Sequence, residues 1–524
     1  MKLVYCCTAL LLFILTHRVC LGGNILVLPI EGSHWINMDI LLQALHSRGH
    51  NLTILRSDKS WYVKENSSYY QSKTFSVEKS SVNESFMTKL LFEMVDYERG
   101  ALPIMNFLHL TVGMFGTFLE IQNSFGEFTT AILDDENLKN SHFDVLLSDP
   151  CWGGGAILAK HLNLPLVYNV RWLIAGEAHL SIAPSPLSYI PITGSGHTDK
   201  MTFIQRVYNM ILHLITEIQK NLVIKVVYQK LCEKYLGPDC DYNQLMIDAD
   251  IYLMRSDFVF EYPRPTMPNV VYMGGFQCKP AKALPQHLED FVQGSGDHGF
   301  IIMSLGTFVS EFPSDLTEMI AAAFAKLPLK VIWKYKGERP TTLGNNTLLV
   351  DWMPQNDLLG HPKVKLFVAH GGTNGVQEAI YHGVPVVGLP VFFDQYDNLL
   401  RLKDRGAAKI LSLATVDKDD NFLKAIEEVL TEPSYRENMQ RLSRLHRDQP
   451  IAPLDNALFW IEFVMRHKGA AHLKAESYRM PWYSYHSVDV VLFLTGAVLL
   501  LLVTAVVFIR CLCSTLCKRK VKRD

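Results

Sequence analysis

From Asn24 to about Val170, short apolar runs alternate with longer stretches whose apolar residues recur every three or four positions. Asn24 to Ile30 reads as a buried strand, Met38 to Ser47 as a helix stopped by Gly49, and Leu52 to Leu55, Asp144 to Ser148 and Pro165 to Asn169 as further strands. Nearly continuous apolar strands separated by helices are the pattern of a parallel sheet covered on both faces. Two longer apolar segments, Ala101 to Glu120 and Phe203 to Tyr235, have helical spacing. Arg206, Glu217, Lys220 and Lys225 interrupt the second, so both are expected as core or interdomain helices rather than membrane contacts.

Glu261 to Gln286 is rich in proline and glycine and marks a boundary. A second alternation starts at Gly299. It gives strands at Phe300 to Leu305, Lys330 to Tyr335, Leu348 to Trp352, Val364 to His370 and Val384 to Leu389, and helices at Ser314 to Lys326 and Gly372 to His382, the latter stopped by Gly383. Helices at Asp420 to Leu430, Ser434 to Arg447 and Leu454 to Arg466 follow. The fold class expected is therefore α/β: two facing, doubly wound Rossmann-like domains, 24–283 and 284–447, then a helical return and membrane-proximal segment at 448–487. A G-x-G-x-x-G opening the first helix is missing from both halves, which argues against a dehydrogenase.

Both ends of the 524-residue chain look like addresses. Residues 1–22, with Lys2 and the run Ala-Leu-Leu-Leu-Phe-Ile-Leu-Thr, read as a secretory signal. Val490 to Ile509 carries no charge and is long enough to cross ~30 Å of hydrocarbon, giving a transmembrane helix at 488–509. The tail, 510–524, contains Arg510, Lys518, Arg519, Lys520, Lys522 and Arg523, which puts it in the cytosol and the bulk of the chain in the lumen. Sequons at Asn51, Asn66, Asn83 and Asn345 are compatible with that compartment. A net charge of −2 argues against a nucleic-acid partner. Of ten cysteines, Cys151, Cys232, Cys240 and Cys278 fall on the lumenal side; a Cys232 to Cys240 bridge is open but not assignable from spacing.

Candidate chemistry concentrates at strand ends, where ligands bind in such sheets. His370-Gly371-Gly372-Thr373-Asn374-Gly375 ends a strand and opens a helix, so free backbone N–H groups and the positive end of the helix dipole suit a diphosphate. Trp352 offers a flat face for a base and Gln355 an amide for its edge. Glu378 can accept from two ribose hydroxyls, and Asp394 with Gln395 can do the same for a sugar. His34 follows the first strand and Asp149 a later strand of the same sheet, so a carboxylate can meet one imidazole nitrogen and leave the other free to take a proton. On residues alone, His34 is either ordinary turn chemistry or a catalytic base. Asp248-Ala249-Asp250 has a metal-holding D-x-D form but no accompanying carboxylate cluster, and Gly49 breaks the helix that would align His46 with His50. No metal or other cofactor is expected.

The run Trp352 to Asn398, together with Phe459 to Leu473, resembles the membrane-bound UDP-glucuronosyltransferases of vertebrate type within the UDP-glycosyltransferases, and the resemblance extends from signal to tail. It implies a GT-B fold, an N-terminal domain for the acceptor and a C-terminal domain for the UDP-sugar. It also implies roles. His34 would be the general base and Asp149 its partner. Ser304 and His370, beside Gly372 and Thr373, would touch the diphosphate, Trp352 and Gln355 the uracil, and Glu378 the ribose. Asn374, Asp394 and Gln395 would meet the phosphate–sugar end. Arg255 matches an arginine near the carboxylate of glucuronic acid, with an interdomain salt bridge as the other reading, and Lys334 stands where some relatives carry arginine.

Cys151, Trp152 and the glycines after them, and the bulky Phe393, depart from the family pattern at the acceptor and sugar ends. The resemblance implies inverting transfer of glucuronic acid from UDP-glucuronate, as co-substrate, to hydroxyl or carboxyl groups of small lipophilic acceptors at the endoplasmic-reticulum membrane. The dilysine-like Lys520 and Lys522 suit that compartment. UDP-glucose or UDP-N-acetylglucosamine as donor is the same-class alternative, and a non-catalytic lumenal binding protein the different-class one. Homo- or hetero-oligomerisation stays open.

Overall fold

The computed structural model describes residues 22–78, 83–100, 115–174, 176–307 and 312–521. Residues 1–21 of the expected signal, 101–114 of the first apolar helical candidate and the last three residues of the tail lie outside that set. A compact unit ending at Leu473 holds two large sheets and a short antiparallel pair, Trp172–Leu173 with Gly176–Glu177. The first contains β1 (Asn24–Leu28), β2 (Asn51–Ser57), β3 (Gln71–Phe75), β4 (Val145–Ser148), β5 (Leu166–Val170), β6 (Ile251–Met254) and β7 (Val270–Tyr272). All are parallel, in the order β3-β2-β1-β4-β5-β6-β7. The second contains β8 (Phe300–Ser304), β9 (Lys330–Lys334), β10 (Thr347–Val350), β11 (Val364–Ala369), β12 (Val386–Gly388) and β13 (Ala408–Ile410), also parallel, in the order β10-β9-β8-β11-β12-β13.

Central strands such as β4, β5, β6 and β8 are buried along their whole length because helices cover both faces, which is why they read as unbroken apolar runs. Fully burying each Val, Leu, Ile or Phe contributes about 1.5–3 kcal/mol, so these strands dominate the stabilisation. In both sheets the order reverses beside the first strand, between β1 and β4 and between β8 and β11. Such reversals open a crevice at the carboxyl ends of the strands.

Several boundaries differ from expectation for identifiable reasons. The first helix runs Ser33–Ser47, five residues earlier than its apolar periodicity predicts. Gly32, at φ 69°, turns the chain directly out of the first strand, so the Gly-Ser-His stretch is helix start rather than loop. The helix after the undescribed stretch runs Phe115–Leu133, beyond the expected end at Glu120. Phe203 to Tyr235 forms a helix over Phe203–Val223, a π-helical turn over Ile224–Tyr228 and a further helix over Gln229–Leu236, with Cys232 and Cys240 disulfide-bonded. Of the expected core or interdomain helix, Phe203–Val223 buries Asn209, Leu212, Lys220 and Val223 while most of its large apolar side chains face out, whereas Ile224, Val227, Tyr228 and Cys232 beyond it are buried.

The returning helix, Pro453–His467, is no separate appendage. Ala457, Leu458, Ile461 and Val464 pack into the core of the first sheet with Ile25, Leu41 and Leu45. Asp250 fastens this return. Its Oδ2 accepts from the Leu166 N–H at 3.0 Å and its Oδ1 from the Ala470 N–H at 2.9 Å, so half of the D-x-D motif is a structural clamp. His50 accepts from the Gly23 N–H through Nδ1 at 3.1 Å, which leaves no pairing with His46.

Described by itself, the second unit, Lys474–Asp524, carries a helix over Val488–Val521. Its span Val488–Leu516 has a mean hydropathy of 2.9 and is long and apolar enough to cross a membrane. The expected break at residue 510 is absent, because nothing between Arg510 and Val521 stops a helix.

Replacing Asp250 by Ala strands two buried N–H groups. We expect a loss of about 1–3 kcal/mol for each, read as a lower midpoint of thermal unfolding and faster proteolysis near residue 470, with Asn partly restoring both.

Candidate active site

The crevice of the first sheet is flanked by His34, in the first turn of the Ser33–Ser47 helix, and by Asp149, one residue past β4. His34 Nδ1 lies 2.6 Å from Asp149 Oδ2, and the two side chains are 20% and 1% exposed. Burial alone would raise the Asp149 carboxyl. The charge and hydrogen bond of His34, then Arg255 and the Cys151 N–H at 3.1 Å, outweigh it and hold Asp149 below the ordinary carboxylate value. An ionised, anchored Asp149 accepts a hydrogen bond from Nδ1–H, which leaves Nε2 without a proton and able to accept.

Arg255 Nη2 is 3.2 Å from His34 Nδ1 and 3.6 Å from Asp149 Oδ2, at 5% exposure, so it stands beside this pair. Its carbonyl accepts from Gln377 Nε2 at 3.0 Å, which leaves the interdomain reading of this residue intact in its backbone.

Ser304 ends β8 and His370 follows β11, one on each side of the second crevice. His370 is half-buried. Burial, helped by the Lys334 charge and opposed by a hydrogen bond with the Ser304 backbone, lowers it to about 4, so its ring is neutral near pH 7. Its Nδ1 is buried and has no hydrogen-bond partner. Lys334 Nζ donates to the Gly306 carbonyl at 2.7 Å, which braces the loop after β8.

Next to His370, Gly371 takes φ 93°, and a Cβ there would lie 2.6 Å from the Gln395 carbonyl oxygen; only glycine fits. The helix Thr373–His382 then starts from Gly372 with no side-chain cap, so its first N–H groups are open to an anion.

Glu378 Oε2 accepts from Gln355 Nε2 at 2.6 Å, and burial raises the carboxyl to about 7. Trp352, two residues past the edge strand β10, stands 70% exposed and available for stacking. Asp394 accepts from Asn398 Nδ2 at 2.9 Å, while Gln395 Oε1 accepts from the Val391 and Phe392 N–H groups at 2.8 and 3.2 Å. Phe393, just before Asp394, adopts φ 53°, a strained conformation for a bulky residue, with its ring two-thirds exposed.

The two crevices meet. Asn37, one turn on from His34, donates to Asn374 Oδ1 at 2.7 Å, which sets the base-bearing helix against the anion loop. Arg171, just past β5, donates to Glu261 at 2.5 Å and to Asn398 Oδ1 at 3.1 Å, and Asn398 in turn donates to the Gly371 carbonyl at 3.0 Å and to Asp394. Sequence reasoning missed Asn37, Arg171 and Asn398. The signal was present in their spacing, since Asn37 lies at i+3 from His34 and Asn398 at i+4 from Asp394, on shared helix faces. Trp152, noted as a departure, stacks on Phe125 with centroids 3.7 Å apart.

Comparison with known proteins bears on what such a site does. A family described as "UDP-glucoronosyl and UDP-glucosyl transferase" matches residues 23–524. UDP-glucuronosyltransferase 2A2 of Homo sapiens is 40% identical over 523 residues, covering 97% of this chain and 95% of the relative. UDP-glucuronosyltransferase 2B13 of Oryctolagus cuniculus is 41% identical over 517 residues, covering 96% of each chain. Among solved structures, the calicheamicin glycosyltransferase CalG4 aligns at a TM-score of 0.54 and 16% identity over 85% of this chain and 98% of its own. LpCGTa in complex with UDP aligns at 0.52 and 16% over 84% and 99%. These likenesses give the fold, two facing doubly wound domains of GT-B type.

Glu378 generates a pH prediction. Its folded-state value is raised from 4.5 to about 7, so the folded protein holds this proton more tightly than the unfolded chain does. Stability from this group is full below pH 4.5 and falls as pH rises to 7, by about 3 kcal/mol. Glu378→Gln keeps the acceptor for Gln355 and removes the ionisation. The ligand-free variant should therefore be more stable than the wild type at pH 8 and equal at pH 4, read from thermal midpoints.

Proposed function

Since the chain belongs to the UDP-glycosyltransferase family, we propose that it transfers glucuronic acid from UDP-glucuronate to hydroxyl or carboxyl groups of small lipophilic acceptors, giving β-glucuronides. As a family member it takes a UDP-sugar donor and an acceptor. The observation that carries the catalytic reading is the 2.6 Å contact between His34 and the buried Asp149 at the crevice of the first sheet. His34 Nε2 takes the proton of the acceptor hydroxyl while its oxygen forms a bond to the anomeric carbon. The bond from that carbon to the diphosphate oxygen breaks, and UDP leaves on the opposite face, so an α-linked sugar becomes a β-glycoside. Asp149 fixes the tautomer and balances the imidazolium that forms.

The leaving diphosphate is met by the open N–H groups at the start of the Thr373–His382 helix, by His370 through Nδ1 and by the hydroxyls of Ser304 and Thr373. Trp352 stacks on the uracil and Gln355 reads its edge. Glu378 receives the ribose hydroxyls, and Asn374, Asp394 and Gln395 the sugar. No metal enters this scheme. The C-terminal apolar helix serves as an anchor, with the catalytic body in the lumen of the endoplasmic reticulum.

Glucuronic acid as the sugar is supported by two relatives of about 40% identity that bear the glucuronosyl name. UDP-glucose is the second reading, because the family description includes glucosyl transfer and because Arg255, the cation expected for the sugar carboxylate, is engaged with Asp149.

His34→Ala should lower turnover of a phenol acceptor by roughly 10²- to 10⁴-fold while leaving donor binding nearly unchanged. Near-normal turnover would remove His34 as the base. The sugar is read from turnover with a panel of labelled UDP-sugars.

Arg255→Leu separates two roles. Acting on the His34–Asp149 pair, Arg255 should contribute to both donors, and its loss should lower kcat with UDP-glucuronate and UDP-glucose alike by roughly 10- to 150-fold. A loss confined to UDP-glucuronate would return it to the sugar carboxylate.

A further inference from the structure

Gln377 lies in the second turn of the Thr373–His382 helix and is 2% exposed. Its neighbours on the buried side of that helix, Val376, Ala379 and Ile380, are apolar, so an amide among them needs partners. All of those partners lie outside the helix and on the side of the first sheet. Gln377 Oε1 accepts from the Gly275 N–H at 3.1 Å and from Gln277 Nε2 at 2.9 Å, both just past β7. Its Nε2 donates to the Arg255 carbonyl at 3.0 Å.

The last of these contacts bears on the base. Arg255 is the first residue after β6, and its N–H donates to the Val170 carbonyl of β5 at 3.1 Å. Both backbone groups of Arg255 are therefore held, one by the sheet and the other by Gln377. From that backbone the side chain places Nη2 3.2 Å from His34 Nδ1 and 3.6 Å from Asp149 Oδ2. The guanidinium is at the far end of a long side chain, so a small turn of the peptide plane moves it much further. Displacements of about 1 Å are enough to cost a reacting arrangement its rate.

The same helix reaches the second crevice. Its uncapped start is one turn before Gln377, and Glu378, next in sequence and about 100° round the axis, accepts from Gln355 at 2.6 Å. One short helix thus carries the groups assigned to diphosphate and ribose together with the hold on Arg255.

We infer that Gln377 is a positioning residue, which ties the helix that meets the donor to the backbone of Arg255 and, through the guanidinium, sets the geometry of the His34–Asp149 pair. The inference rests on His34 acting as the base of the proposed transfer. Docking of the second domain then aligns the base as well as the leaving group, through a single amide.

A double-mutant cycle on the full membrane-bound chain tests this, with turnover counted per UDP-binding site. Gln377→Leu should lower kcat roughly fivefold or more, with KM for the UDP-sugar and for a phenol acceptor within about twofold of the wild type. Gln277→Ala, which removes a partner of Gln377 and leaves the Arg255 contact, should keep kcat within about twofold. In an Arg255→Leu background, Gln377→Leu should cost less than about twofold more, because the group it positions is gone. Losses that multiply would give Gln377 a separate route to the chemistry, and a loss confined to KM for the UDP-sugar would make it part of the donor site alone. Either result overturns the inference, as does an unchanged kcat in Gln377→Leu. Should the leucine variant bind no UDP, Gln377→Met, unbranched and of similar length, takes its place in the cycle. A wild type that turns over no UDP-sugar would remove the proposed transfer and this inference with it, whereas an active wild type with a failed cycle removes the inference alone.

Discussion

Parallel strands reverse their order in a sheet only where neighbouring loops diverge to opposite faces, and that divergence leaves a gap no local side chain fills. Both sheets reverse next to their first strand, and every group assigned to chemistry depends on where those two gaps fall. His34 and Asp149 border one; Ser304 and His370 border the other. The Asn37 to Asn374 hydrogen bond sets the gaps mouth to mouth. His34 thereby faces the uncapped start of the Thr373–His382 helix across a space that neither domain encloses alone.

Holding the domains in that register falls to buried charge. Arg171 and Arg401 converge on Glu261, whose carboxyl burial would raise but which the two guanidiniums, Arg401 first, pull down to about 2. Such a cluster adds little net stability compared with an apolar one, but removing one member strands the others in a dry interior. Its benefit is geometric. Arg171 comes from the first sheet, and through Asn398 its position reaches the Gly371 carbonyl and Asp394. The Gly371 loop of the second domain is thus positioned partly by the first.

Much of this was legible in sequence because strand ends can be read from apolar runs. The glycine-rich turn at Gly371–Gly372, the helix stop at Gly383 and the pairing of His34 with Asp149 follow from local pattern plus the rules of parallel sheets. Three features were not legible. Burial of Arg255 beside Asp149 depends on how β6 lies next to β5, a tertiary fact. The outward stripe at Phe203–Val223 has the same periodicity as a core helix, and composition gives no sign of which way it faces; Asn209 decides that through bonds to the distant Leu187 and Ile190. The Pro453–His467 helix could not be assigned to a domain from its own amphipathic pattern, since any apolar groove would suit it.

That last helix changes the connectivity of the body. Because Pro453–His467 packs into the first core, and Asp250 holds Ala470 there, the second domain is inserted between two parts of the first rather than appended to it. The polypeptide crosses between them twice, near the proline- and glycine-rich stretch that ends at Gln286 and again after Arg447. Close to these passages, Asp257 and His446 meet at 2.5 Å. A body joined at one point can swivel in any direction; one joined at two neighbouring points moves like a door on a pair of pins. Any separation of the two sheets would then be confined to one arc, and reversing it would bring Asn374 back to Asn37.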